Sequence, residues 1–226
     1  MFFDPMYLLY IAPGLILGLI AQAMVKSTFA RYSRIGARRG ISGAETALEV
    51  MAAKGIHDVQ VEEVGGFLSD HYDPRSRVLR LSPDVYRGRS LASLGVAAHE
   101  AGHALQDAQG YLPMRLRAAV VQPAMLGQNF SYVLVILGFM MHLPALMWAG
   151  VLLFGLALVF TIVTLPVEFD ASARAMRALA DGRVLDNDEL HGARKVLSAA
   201  ALTYVAAVVS ALGIFLYYLS LANRRD

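Results

Sequence analysis

The sequence predicts a mainly α membrane protein, four transmembrane helices carrying a small α+β element, and three observations support this. Of 226 residues 57% are hydrophobic and the mean hydropathy is +0.50, above the apolar share of about 45 to 50% in a soluble domain. Four stretches, Met6 to Val25, Ala118 to Met141, Pro144 to Leu165 and Leu197 to Ala222, contain no Asp, Glu, Lys or Arg. Each is long enough to cross a hydrocarbon core of about 30 Å, which takes roughly 20 helical residues. The one sizeable polar block, Lys26 to Arg117, lies between the first two. The expected organisation is therefore an anchor (1–25), a polar part (26–117), a transmembrane hairpin (118–166), a second polar segment (167–196) and a fourth transmembrane helix with its tail (197–226).

The first stretch has Asp4 ahead of it and no basic segment, so it reads as a retained anchor rather than a cleaved signal peptide. Lys26, Arg31, Arg34, Arg38 and Arg39 follow it. Arg115 and Arg117 precede the second span, and Arg174, Arg177, Arg183, Arg194 and Lys195 lie between the third and fourth. The turn Met141 to Pro144 has no Lys or Arg. Because Lys and Arg stay on the cytoplasmic side of spans, both polar segments are expected in the cytoplasm, with Arg224 and Arg225 as the only opposing signal. A net charge of +2 and its placement beside the spans argue against a nucleic-acid partner. Without cysteine, a thiolate metal site is excluded.

Within the polar block, Ser42-Gly43-Ala44-Glu45 is a capping box opening a helix to about Lys54, stopped at Gly55. Asp58 to Val64 and Gly66 to Tyr72 have strand character, followed by a turn at Asp73-Pro74-Arg75-Ser76 and a strand Arg77 to Leu81. Ser82-Pro83 can start a short helix. A longer one runs from Leu91 to Gln109, capped by Ser90 and ended at Gly110. In the second span, Gln122, Gln128, Asn129 and Ser131 are expected to face other helices or a wet cavity, since polar groups facing lipid are expensive.

The chemistry lies in the long helix, which contains His99-Glu100-Ala101-Gly102-His103. Two imidazoles four residues apart project from one helical face, close enough to share a metal ion. Glu100 lies about 100° round, where its carboxylate can take a proton from water whose pKa the metal has lowered from about 15.7 to about 7. Gly102 lets another backbone approach closely. Two His and a Glu among Val96, Ala97, Ala98, Ala101 and Leu105 would be costly to desolvate unless they were engaged.

A catalytic zinc takes three protein ligands and an open position, so a third ligand is needed. Glu168 is the first candidate, at the start of a helix where span three emerges on the cytoplasmic side, and Asp170 is the second. His191 and His71 are further candidates that could instead bind an oxyanion. His142 lies in the turn on the opposite side of the membrane. The competing explanation for Glu168 is an acidic residue placed for the helix macrodipole, worth about 0.3 to 1 kcal/mol.

These residues resemble the YugP-like bacterial membrane zinc metallopeptidases over most of the chain. The resemblance rests on the anchor, the His71-Tyr72-Asp73-Pro74 turn with Arg77 to Ser82 after it, the Ala98 to Gln106 helix and the run Pro166 to Ser172. It implies one Zn2+ per chain on His99, His103 and Glu168, Glu100 as general base and acid, a protein or peptide substrate, and a bacterial inner membrane. The chain is also distantly similar to HtpX and CAAX-type proteases. Those carry Asp four residues after the Glu, as partner to a ligand His, where this chain has Ser172. Ser172 can accept an imidazole N–H as a neutral group, or Asp170 can do so from another angle, changing ligand basicity rather than removing the metal.

The whole reads as a membrane zinc metallopeptidase with a zincin-like α+β catalytic element on the cytoplasmic face. Its sheet would offer an edge strand to an extended substrate. A catalytically silent zinc scaffold or adaptor is the alternative. Metal transport is disfavoured, because no His, Asp or Glu lies within the four spans apart from their connecting turn.

Overall fold

The structure, a computed structural model, describes residues 5–66 and 68–223. The expected first and last segments and the expected strand from Gly66 extend in part beyond these residues. In chain order the elements are α1 (Pro5–Tyr32), α2 (Gly43–Ala52), β1 (Gln60–Glu63), β2 (His71–Asp73), β3 (Val78–Leu81), α3 (Pro83–Tyr86), α4 (Leu91–Ala108), α5 (Leu112–Met140), α6 (Pro144–Asp181) and α7 (Asn187–Asn223). The protein is mostly helical, and α1, α5, α6 and α7 are long and apolar enough to cross a membrane. The chain divides into two units, one of residues 1–21, 112–166 and 202–226, the other of 22–111 and 167–201.

The first unit is built from apolar helices that meet through small residues. The buried stripe of α5 is Ala124, Gly127, Ser131, Val135 and Gly138. A Cβ at Gly127 would lie 2.3 Å from the Leu153 carbonyl oxygen, and one at Gly150 would lie 2.9 Å from that of Ser131. Close backbone approach of this kind is what drives helix association where lipid is as apolar as the side chains. Val135, Met147, Val151 and Phe154 pack with Tyr217, Tyr218 and Leu221, and Tyr7 meets Tyr217 edge-on at 5.1 Å between ring centres. Of the polar residues of α5, three do not pack on another helix of this chain and one does. Gln122, Gln128 and Asn129 are exposed, because the small residues rather than the amides occupy the packing face. Ser131 is buried with no hydrogen-bond partner among the described residues.

The second unit has its own core around α4, with Leu79, Leu81, Val85, Leu94, Ala97, Ala101, Leu179 and Val196 among its buried residues. Ser42 caps α2 in the predicted box, its side chain accepting from Glu45 N while the Glu45 carboxylate accepts from Ser42 N. Ser90 caps α4 by accepting from Ser93 N. The sheet has the order β1-β3-β2, with β1 parallel and β2 antiparallel to β3. Tyr72 of β2 donates to Asp107 at 2.9 Å and so ties the sheet to α4. Burial and the Asp107 acceptor push the Tyr72 hydroxyl up to about 12, so the bond persists through the neutral range.

Two local expectations are corrected. The strand expected from Gly66 begins only at His71, because Asp70 turns inward to accept from both Ser82 N and Ser82 Oγ. Burial raises the pKa of Asp70 above the ordinary carboxylate value. Arg77 closes the turn with φ +54° instead of opening β3. The third correction concerns the site. No helix starts near Glu168, since α6 continues unbroken through Pro166 to Asp181. Far from a helix end, Glu168 gains nothing from the macrodipole, whose influence is confined to the first and last turns.

Candidate metal centre

His99 and His103 stand one turn apart on α4, and Glu168 faces them from α6, all within the second unit. The approach of the two helices depends on Gly102, where a Cβ would lie 2.6 Å from the carbonyl oxygen of Ala171. That is the close contact the glycine predicts. Glu168 Oε2 lies 3.3 Å from His99 Nε2 and 3.5 Å from His103 Nε2, and one ligand atom from each residue falls within 4.8 Å of the others. Among the described residues this is the only such group of three His, Asp or Glu.

The donor set fits a zinc ion. Bonds of about 2.0 to 2.2 Å to a tetrahedral ion place ligand atoms roughly 3.4 Å apart, close to the 3.3 and 3.5 Å between Glu168 Oε2 and the two Nε2 atoms. Glu168 is 2% exposed, and a carboxylate so buried needs a cation. Burial pushes its pKa up, but hydrogen bonding and charge from His103 and His99 outweigh this and hold it well below the usual carboxylate range. Burial likewise pushes His103 down, while its hydrogen bond with Glu168 and the charges of Glu100 and Glu168 hold it above its ordinary value. Two imidazoles and an anionic carboxylate thus converge on one point.

The imidazoles are fixed from behind. Gln106, fully buried, donates through Nε2 to the Val167 carbonyl and to Asp170 Oδ2, both at 2.8 Å. Its oxygen is therefore the atom 3.0 Å from His103 Nδ1, and it accepts the proton there, so that in the neutral ring Nε2 is the nitrogen left with a lone pair for a metal ion. His99 Nδ1 is 3.1 Å from Ser172 Oγ, a hydroxyl that can accept its proton or donate to it. Arg174 donates to Asp170 at 2.5 Å and also to Gln109. Asp170 therefore sits behind Gln106 and outside the ligand group. Sequence reasoning assigns Gln106 no role, although its position three residues after His103 places it on the same helical face.

Glu100 is 8% exposed, and its side chain makes no hydrogen bond to any described residue. A carboxylate beside the imidazoles with unclaimed lone pairs can accept a proton from a water entering the centre. His71 is exposed on β2, its Nδ1 facing the Ser69 carbonyl at 2.8 Å. His191 is exposed on α7 and His142 is exposed in the turn after α5. None of the three belongs to the group.

The sequence of this chain agrees with that geometry at the level of family. The chain belongs to the family described as "putative neutral zinc metallopeptidase", whose profile matches residues 7–223. A relative from Bacillus subtilis (strain 168), named "putative membrane protease YugP", is 43% identical over 207 residues, 91% of this chain and 92% of the relative. No solved structure matches the chain significantly.

Proposed function

We propose that the protein is a zinc metalloendopeptidase of the bacterial inner membrane, with His99, His103 and Glu168 as the ligands of one zinc ion and Glu100 as the catalytic base and acid. The observation that carries this reading is the buried Glu168 carboxylate at ligand spacing from two imidazoles, beside a Glu100 carboxylate with no hydrogen-bond partner among the described residues. Zinc bound there supplies Lewis acidity toward a peptide carbonyl and lowers the pKa of water. Glu100 accepts the proton of the attacking water and delivers it to the leaving amine. Gln106 and Ser172 keep the imidazole lone pairs on the metal side, and Asp170 with Arg174 holds Gln106 in place.

The polar parts, 26–117 and 167–196, form the zincin-like catalytic element and face the cytoplasm, a reading supported by the Lys and Arg that flank the spans. β1 and β2 are the two sheet edges, and either offers unpaired backbone groups to an extended substrate chain. The test compares the purified protein with its Glu100→Gln variant for zinc content and for cleavage of casein. The expected result is about one zinc per chain in both and cleavage only by the parent, because the amide keeps the ligand set intact but cannot take a proton from the activated water. Zinc in both with cleavage in neither would favour the silent scaffold.

A further inference from the structure

We infer that a cleft at the foot of α1 binds the phosphodiester of a membrane phospholipid head group through Lys26 and Arg89. The cleft measures about 610 Å³ and is lined by Lys26, Phe29, Ser33, Asp84, Arg89 and Ser90, all within the second unit. Lys26, Phe29, Ala30 and Ser33 recur at helical spacing and line one side. Arg89 is remote in sequence and is brought opposite by backbone pairing, Ala37 N donating to Arg89 O and Leu91 N to Ile35 O. The juxtaposition is thus a product of the fold and not simply a run of cations after a span.

Lys26 and Arg89 form no ion pair among the described residues, as is also true of Arg31 and Arg34, but only Lys26 and Arg89 line the cleft. Arg38 pairs with Asp186, Arg39 with Glu49 and Arg87 with Glu63. Neither Lys26 nor Arg89 makes a side-chain hydrogen bond or ion pair with any described residue. Glu45 feels Arg89 only as a charge at longer range, its own carboxylate being held by Ser42. The Ser33 hydroxyl is a further free donor among the described residues. Asp84 also lines the cleft, leaving a single net positive charge. That balance suits a phosphodiester, with one negative charge, better than inorganic phosphate, which carries close to two at neutral pH. Lys26 directly follows the first apolar span, where basic pockets meet lipid head groups. The inference is independent of the metal centre.

The test is binding of phosphatidylglycerol to the delipidated full-length protein in detergent, counted by native mass spectrometry. Lys26→Gln with Arg89→Gln is expected to weaken binding about tenfold or more, the loss of two charge-assisted contacts. Arg34→Gln, a cation outside the cleft, should leave it within about twofold, as expected of an exposed charge. Arg89→Lys should retain most of the binding, and it keeps the test decisive if the double variant folds poorly. Equal binding by the double variant and the parent would overturn the proposal, as would an equal loss in Arg34→Gln. Displacement of the lipid by millimolar inorganic phosphate would overturn the phosphodiester assignment.

Discussion

Gln106 and Ser172 lie behind His103 and His99, where, on the proposed reading, they would tune a metal site without touching the ion. With Gln106→Leu, His103 Nδ1 and the Val167 carbonyl lose a partner in a buried setting, and Asp170 loses one of its two donors. The expected outcome is a zinc affinity lower by about 10- to 100-fold and a stability loss of about 1 to 3 kcal/mol, read by chelator competition and by denaturant unfolding. Ser172 makes a finer comparison. Ser172→Ala removes the partner of His99 Nδ1 and should weaken zinc binding in the same assay. Ser172→Asp places a charged acceptor there, which raises ligand basicity and should bind zinc at least as tightly as the parent. If Ala and Asp behave alike, Ser172 does not orient His99.

At the scale of elements, the proposed zinc site needs the contact between α4 and α6 to be close enough for His99, His103 and Glu168 to share an ion. Gly to Ala within a helix normally stabilises by about 0.5 to 1 kcal/mol. At Gly102 the sign should reverse, because the new Cβ would press on the Ala171 carbonyl oxygen at 2.6 Å and force apart the helices that carry the ligands. Gly102→Ala is expected to lose both zinc and thermal stability, whereas Gly18→Ala, with nothing within 4 Å of its Cβ, should do neither. Melting temperature and zinc per chain measured on the two variants decide this. Several of these elements are legible from local patterns: the capping box at Ser42, the Ser90 cap, the paired imidazoles of α4 and the close contact at Gly102 each follow from a few neighbouring residues. What is hidden depends on distant ones. That α6 passes unbroken through Pro166 runs against the local signal of a proline, which removes a helical hydrogen bond, so from the sequence Glu168 looks like a first-turn residue. The strand expected from Gly66 is shortened because Asp70 commits its carboxylate to Ser82, twelve residues away. Gln106 is visible as a residue, but its role depends on Val167 and Asp170 across a gap of more than sixty positions.

For the whole molecule, the division of the chain has an energetic consequence. His99, His103 and Glu168 all belong to the unit of residues 22–111 and 167–201, so an ion held there links two segments of that unit that are far apart in sequence. A ligand that binds only the folded state stabilises it by about 2.7 kcal/mol when present at 100 times its Kd. The spans of the other unit contribute no residue to the group, and its small-residue contacts do not depend on metal. Zinc removal should therefore act unevenly. Hydrogen exchange after chelation is expected to speed up in α4 and in α6 beyond Pro166, while the helical amides of 112–166 and 202–223 keep their protection. Restoring zinc should reverse the change, and His103→Ala should reproduce it without chelator. Uniform acceleration along the chain would instead mean that the two units unfold as one, and acceleration in neither would mean that the ion adds nothing to the fold.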